Sequence, residues 1–327
     1  VKEMNTIGID VSKAKLDCAW LKKDDKLKTK IITNTLDGWK ELVEWSLKNT
    51  SLPIEQLHFV MEATGIYHQR LATYLFDAGA KVSVVNPAQV KFYGQSLGVR
   101  TKNDKKDSVV LARYGLKENP KLWQPEAIEV RELKALVNRL EGIEKDLQRE
   151  KNRQEKALCG QTSQAVLNSI SNMIELLETE QHSLEKLIKE HIDKHKKLKE
   201  DKALLESIPG IGDVISTRML MVMSSRQFAK ASQCAAYLGL VPVQHESGSS
   251  VKGRCHLSKA GNPAIRAKLY LGAVTAKTYN PDVKALYERL LSRGKSKMSA
   301  LGASMRKLVQ ICFGVLKHQE TYQPQTG

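Results

Sequence analysis

Four acidic residues in this chain have the types and spacing for chemistry on a phosphodiester. Asp10 closes the apolar run Thr6-Ile7-Gly8-Ile9, and Glu62 closes Leu57-His58-Phe59-Val60-Met61. Asp104 and Asp107 stand three apart at the head of an amphipathic helix, so both project from one face of its first turn. The ends of buried strands are where ligands to a sheet-borne site are expected, so four carboxylates from three elements could converge there. Such an all-oxygen set suits a hard divalent cation such as Mg2+, and a pair of these clamps the attacking and leaving oxygens of a phosphodiester. Each acid also has a plainer use: Asp104 and Asp107 as caps for orphan amides at the helix start, Glu62 as a cap for the turn after its strand. Lys102, Lys105 and Lys106, interleaved with the Asp pair, favour a phosphate nearby.

These acids need elements to position them. After Asp10 a turn through Ser12-Lys13 leads into a second strand, its apolar residues alternating at Leu16, Cys18 and Trp20. Lys28 to Thr33 predicts a third strand, and Asp37 to Leu47 a helix with Trp39, Leu42 and Val43 on one side. The near-continuous apolar run ending on Glu62 marks a strand buried on both faces. Ala63-Thr64-Gly65 then turns the chain into a helix carrying Tyr67, Leu71, Leu75 and Phe76, and Lys81 to Val85 is another buried strand. Three strands, then alternating helices and strands, predict a mixed α/β sheet with crossover helices.

From Glu126 the composition turns polar and charged, with apolar residues at helical intervals from Leu133 to Leu147 and again from Leu167 to Ile192. Two sustained stripes predict an antiparallel hairpin or an intermolecular coiled coil. Ile208-Pro209-Gly210-Ile211-Gly212 between helices reads as a helix-hairpin-helix-like turn, with Gly210 and Gly212 offering backbone amides to a phosphate. Val243 to Arg254 is a small-residue polar loop without apolar periodicity. Lys252, Arg254, Lys259 and Arg266 are candidates to hold a nucleic-acid backbone. The class is therefore α/β plus all-α, with expected domains 1–125 (mixed sheet), 126–200 (coiled-coil helices) and 201–327 (mainly helical).

The chain of 327 residues carries 52 Lys+Arg against 36 Asp+Glu, a net charge of +16 that favours a polyanionic partner. No apolar run reaches spanning length and no signal peptide is visible, which makes nucleic acid the expected partner, a membrane an unexpected one, and the cytoplasm the expected compartment. Five scattered cysteines without paired metal spacing read as reduced, mostly buried thiols.

Gly8-Ile9-Asp10, Val60-Met61-Glu62-Ala63-Thr64-Gly65 and Lys102-Asn103-Asp104-Lys105-Lys106-Asp107 resemble the Asp-Glu-Asp-Asp signature of the RuvC-like domain in transposases of the insertion-sequence one-ten family. Gly239 to Pro242, Glu246-Ser247-Gly248-Ser249-Ser250 and Ser258 to Asn262 resemble that family's C-terminal transposase domain, so the resemblance runs in order through nearly the whole chain. It implies a ribonuclease-H-like N-terminal fold, metal binding by Asp10, Glu62, Asp104 and Asp107, and attack on DNA by Ser247 through a covalent serine–DNA intermediate. It also implies an element-encoded bridge RNA pairing with donor and target DNA, action as a homo-oligomer, dimer or tetramer, and a nucleoid-associated place in a bacterial cytoplasm. A serine hydroxyl needs a proton acceptor and a neutralised phosphate, and carboxylate-bound Mg2+ would meet both needs. Two other readings stand beside this one: a metal-dependent structure-specific nuclease in which water attacks, and a non-catalytic nucleic-acid-binding scaffold.

Overall fold

The computed structural model describes residues 5–21, 26–63, 65–97, 104–243, 246–247, 251–252 and 256–325. The chain divides into two compact units, Val1–Pro125 and Glu126–Gly327.

Unit 1 is the expected mixed α/β sheet. Its strands are β1 (Thr6–Val11), β2 (Lys15–Leu21), β3 (Leu27–Thr33), β4 (His58–Glu62) and β5 (Lys81–Val85), in the spatial order β3-β2-β1-β4-β5. β1–β2 and β2–β3 are antiparallel, and β1–β4 and β4–β5 parallel. The helices are α1 (Leu36–Thr50), α2 (Gln69–Asp77), α3 (Pro87–Ser96) and α4 (Asp104–Glu118). Alternation divides the strands between two cores. Ile7, Ile9, Val11, Leu16, Cys18, Trp20, Phe59 and Met61 pack with Trp39 and Leu42 of α1 and Leu71 and Leu75 of α2. On the other face Val60 and Val85 pack with Val90 of α3 and with Val110 and Leu111 of α4. The small and polar residues of β1, Thr6, Gly8 and Asp10, therefore face α4.

At the end of the sheet away from Asp10, buried His58 bonds through Nε2 to Ser83 Oγ at 2.8 Å, and Ser83 Oγ donates to the carbonyls of Pro120 and Lys121 at 3.1 and 3.0 Å. With the serine proton committed to the carbonyls, the imidazole is the donor to Ser83, which requires its neutral Nε2–H form or the cation. Burial, with Lys81 adding to it, lowers the His58 pKa from 6.5 to about 4 and selects the neutral form. The unfolded chain then binds the extra proton first: the stabilisation is complete above pH 6.5 and is lost as pH falls toward 4. His58→Gln is expected to remove this slope, worth about 1 to 3 kcal/mol across that window. Urea midpoints measured from pH 4 to 7 check it, and an unaltered slope in the variant counts against it.

Unit 2 is helical apart from a small ribbon. Its helices are α5 (Ile128–Cys159), α6 (Gln164–Lys194), α7 (Lys196–Glu206), α8 (Asp213–Ser224), α9 (Ala231–Tyr237), α10 (Pro263–Tyr279), α11 (Pro281–Ser292) and α12 (Lys297–His318). α5 and α6 pack on each other as a hairpin within the chain. Burial is concentrated at the base of that hairpin and reaches out to Leu147 of α5; Val130 to Ile143 of α5 and Leu184 to Ile192 of α6 share one core with Met219, Leu269, Leu308 and Cys312. Farther out Leu158, Met173 and Leu176 are exposed. The apolar stripes thus serve two ends, one inside a globular core that their spacing alone did not reveal. An ion pair of the buried Arg218 with the half-buried Glu144 fixes the base, Arg218 of α8 donating to both carboxylate oxygens of Glu144 of α5 at 2.8 and 2.9 Å. Neighbouring Glu141 accepts from the Asn262 side-chain amide at 2.9 Å, and Asn262 caps α10, so one polar junction joins three helices.

The segment read as a loop is partly a ribbon. β6 (Pro242–Val243) pairs with β9 (His256–Leu257), and β7 (Glu246–Ser247) with β8 (Val251–Lys252), both antiparallel. Two-residue strands need no apolar periodicity, because backbone pairing suffices to hold them in register. Of the thiols, Cys18, Cys234 and Cys312 are free and buried and Cys159 free and exposed; Cys255 lies outside the described residues.

Candidate active site

The parallel register Gly8↔Val60 and Ile9↔Met61 brings Asp10 and Glu62 to the same end of neighbouring strands. Both are half-buried. α4 crosses this face at very close range: a Cβ added to Gly8 would lie 2.1 Å from the Ser108 carbonyl oxygen and 2.3 Å from the Ala112 nitrogen. One more contact fixes the direction of the helix, since a Cβ on Gly115 would meet Thr6 and Val60 side chains at 2.6 Å. Gly115 thus lies over Thr6, and Ser108 and Ala112 over Gly8, so α4 runs antiparallel to β1 with its head toward Asp10. From Ser108 back to Asp104 the helix rises about 6 Å. From Gly8 to Asp10 the strand advances about 6.6 Å. The head of α4 and the ends of β1 and β4 therefore stand at one level.

Asp107 is half-buried on the first turn of α4, and Asp104 begins it. The side chains of Asp104 and Lys105 lie outside the described residues, as does Lys102 entirely, and Lys106 is exposed. Among the described residues no three His, Cys, Asp or Glu side chains form a group able to hold a metal ion. The donors nevertheless fit a hard divalent ion in kind, being carboxylates only, and the glycine cradle brings the helix bearing two of them onto the strand bearing a third.

Two further residues, Asp17 and Asn34, belong to this end of the sheet, and no local sequence signal alone marks them. Asp17 pairs with Asp10 across β1 and β2, so it shares the α4 face; it is buried and ion-paired to Lys15 at 3.1 Å. Strict alternation in β2 was the available signal, yet only the antiparallel register puts Asp17 opposite Asp10. Asn34 ties together the exits of both acid-bearing strands. Its amide donates to the Ser12 carbonyl at 2.9 Å and to the Tyr67 carbonyl at 3.4 Å, while its oxygen accepts from the Trp39 indole at 2.9 Å.

The remaining candidates belong to unit 2. Gly210, at φ 99°, packs against α10, where a Cβ would meet Ala276 and the Gly272 carbonyl oxygen at 2.7 and 2.8 Å. Gly212 caps α8 and faces open space, with Asp213 beside it paired to Lys202 at 2.6 Å. A side chain at Gly210 would clash, whereas one at Gly212 would not. Arg266 donates to the carbonyls of Leu238 and Gly261 and braces the turn before α10, whereas Lys259 is exposed. Ser247 and Lys252 sit on β7 and β8, but their side chains, and all of Arg254, lie outside the described residues.

Comparison with known proteins assigns this arrangement to a family. A model of the DEDD transposase domain matches residues 7–161, and a model described as transposase IS116/IS110/IS902 family matches residues 202–288. The pilin gene-inverting proteins of Moraxella lacunata and Moraxella bovis are each 32% identical over 97% of this chain and 97% of their own length. The transposase for insertion sequence element IS1111A of Coxiella burnetii is 26% identical over 81% of this chain and 79% of its own length.

The DEDD match corrects the expectation of a covalent serine–DNA intermediate. It assigns catalysis to a metal-dependent, nuclease-like carboxylate domain, which is the water-attack alternative. The physical reason is that Asp10, Glu62, Asp104 and Asp107 all belong to unit 1 and make an all-carboxylate set suited to a hard ion that activates water, so this chemistry calls on no serine. The mixed sheet with its carboxylate-bearing ends, the separate helical unit and the full-length relatives lead to one assignment: this chain belongs to the IS116/IS110/IS902 family of transposases and is an enzyme that acts on DNA.

Proposed function

We propose that this transposase cuts DNA at a site made by Asp10, Glu62, Asp104 and Asp107, with water as the attacking group and Mg2+ as the metal. The observation that supports it most is the common level of the ends of β1 and β4 and the head of α4, held by the close approach at Gly8. When bound, a divalent ion neutralises the phosphate and makes water a better nucleophile. The four carboxylates would hold it, and the exposed Lys13 and Lys106 would draw the strand toward the sheet end. The named activity of the Moraxella relatives, inversion of a gene, extends the reading to rearrangement in which cut strands are rejoined. That calls for two DNA sites held together, donor and target, and for more than one copy of the chain. Exposed Leu158, Met173 and Leu176 on the outer part of the α5–α6 hairpin suit contact between copies. A bridge RNA pairing with both sites is consistent with the net charge of +16, and the whole assembly would work at the nucleoid. Among the described residues no helix is long and apolar enough to cross a membrane.

Chelation provides the test. Cleavage of labelled DNA carrying the flanks of this protein's own reading frame should stop in excess chelator and return with added Mg2+. Cleavage that continues at full rate in chelator refutes the carboxylate site.

A further inference from the structure

Resting on that reading, we propose that Tyr67 is a base-stacking contact for an unpaired nucleotide of the DNA strand entering the acid site. The turn from β4 to α2 leaves the sheet at Glu62 and carries Ile66 and Tyr67 outward, 70% and 44% exposed. The turn thus presents an aromatic ring to solvent at the end of the sheet that carries Glu62. Its backbone is tied at Tyr67. Asn34 grips the Tyr67 carbonyl and, through the same amide, the Ser12 carbonyl two residues beyond Asp10. Next along the chain His68 is buried, anchoring the turn from its other side. An exposed ring on a tethered turn loses little further freedom on binding, which is what a stacking platform requires.

The surroundings select nucleic acid as the occupant. Lys13 is exposed on the β1–β2 turn that Asn34 ties to the Tyr67 backbone, and exposed Arg70 opens α2 with its guanidinium 5.5 Å from the centre of the Trp39 ring. The exposed ring offers a π face to a base, and the cations on the neighbouring segments, Lys13 and Arg70, offer positive charge to the strand's phosphates. A base in an intact duplex is already stacked on its neighbours, so the ring engages a base that has left the helix. Tyr67 follows Glu62 on the same turn, and Asn34 ties its carbonyl to that of Ser12 just past Asp10, so a base stacked on it would belong to the strand that reaches the acids.

The test uses the full chain in chelator, so that no strand is cut and the result is independent of whether the acids are catalytic. Affinities for a fluorescent single-stranded oligonucleotide and for the matching duplex are measured for Tyr67→Ala, Tyr67→Leu and Tyr67→Phe. Stacking predicts that Ala and Leu weaken single-strand binding about tenfold and leave duplex binding within about twofold, whereas Phe retains the original affinity. Unchanged unfolding midpoints establish that the surface substitutions leave the fold intact. Equal single-strand affinity in all four proteins overturns the proposal, as does an equal loss on duplex and single strand. Retained DNA affinity with a lower assembly mass in Tyr67→Ala would assign the ring to a protein contact, and overturns it too. Should DNA cleavage prove independent of the acids while the Tyr67 pattern holds, the cleavage reading fails alone.

Discussion

Asp10→Asn is expected to lower DNA strand cleavage by at least about a thousandfold, while binding of the same DNA changes by less than about twofold. The amide keeps the shape of the side chain and loses the charge that holds a divalent ion. Asp10 lies at the end of the central strand β1, with β2 on one side and β4 on the other. Asp104→Asn is expected to act alike. Asp17→Asn separates site from support: Asp17 faces the same side from β2 but is paired with Lys15, so its loss should cost less than that of Asp10. Gel assays of cleavage beside filter-binding measurements check the pair. Full cleavage by Asp10→Asn would remove the carboxylates from the chemistry.

The largest structural effect is expected at Gly8. A methyl group there meets backbone atoms of α4 at 2.1 and 2.3 Å, and backbone cannot swing aside as a side-chain end can. Gly8→Ala must lift α4 from the sheet, exposing part of the Val60, Val110 and Leu111 core and drawing Asp107 away from Asp10. A loss of about 3 kcal/mol or more is expected, with cleavage lost even where the variant remains folded. Gly115→Ala is the control, since its methyl meets only side chains, Thr6 and Val60, which can yield in part. Urea unfolding of both variants orders them: Gly8→Ala well below Gly115→Ala. A Gly8→Ala protein as stable and active as the parent would mean that the close approach does not set the site.

The strands of unit 1 were legible because their residues declare themselves. Leu16, Cys18 and Trp20 alternate, and the short, near-continuous apolar run from Leu57 to Met61, bounded by Pro53 and Gly65, suits a strand covered on both faces. Lys81–Val85 is bounded by Gly79 before it and Asn86-Pro87 after it, so both ends of β5 are marked in the sequence. The role of Gly8 was not legible, since nothing local distinguishes a glycine in a strand until the helix a hundred residues later lies on it. Asp17 and Asn34 were passed over for a related reason: one depends on antiparallel register, the other on three partners separated in sequence. In unit 2 the stripes of α5 and α6 predicted helices correctly, yet periodicity cannot say whether Leu140 meets a partner helix alone or the centre of a globular core. The ribbon around Ser247 was missed because its strands are too short to carry a pattern. The serine assignment itself came from resemblance of that segment rather than from any residue arranged to activate it.

The most direct measurement is on the new phosphate end. Wild-type protein with Mg2+ cuts its DNA in water enriched in oxygen-18, in a single turnover, and the fragments are weighed by mass spectrometry. Water-mediated attack at the carboxylate site predicts one heavy oxygen in each terminal phosphate and no DNA joined to protein. Terminal phosphates free of the label, or fragments carrying a peptide, would contradict it.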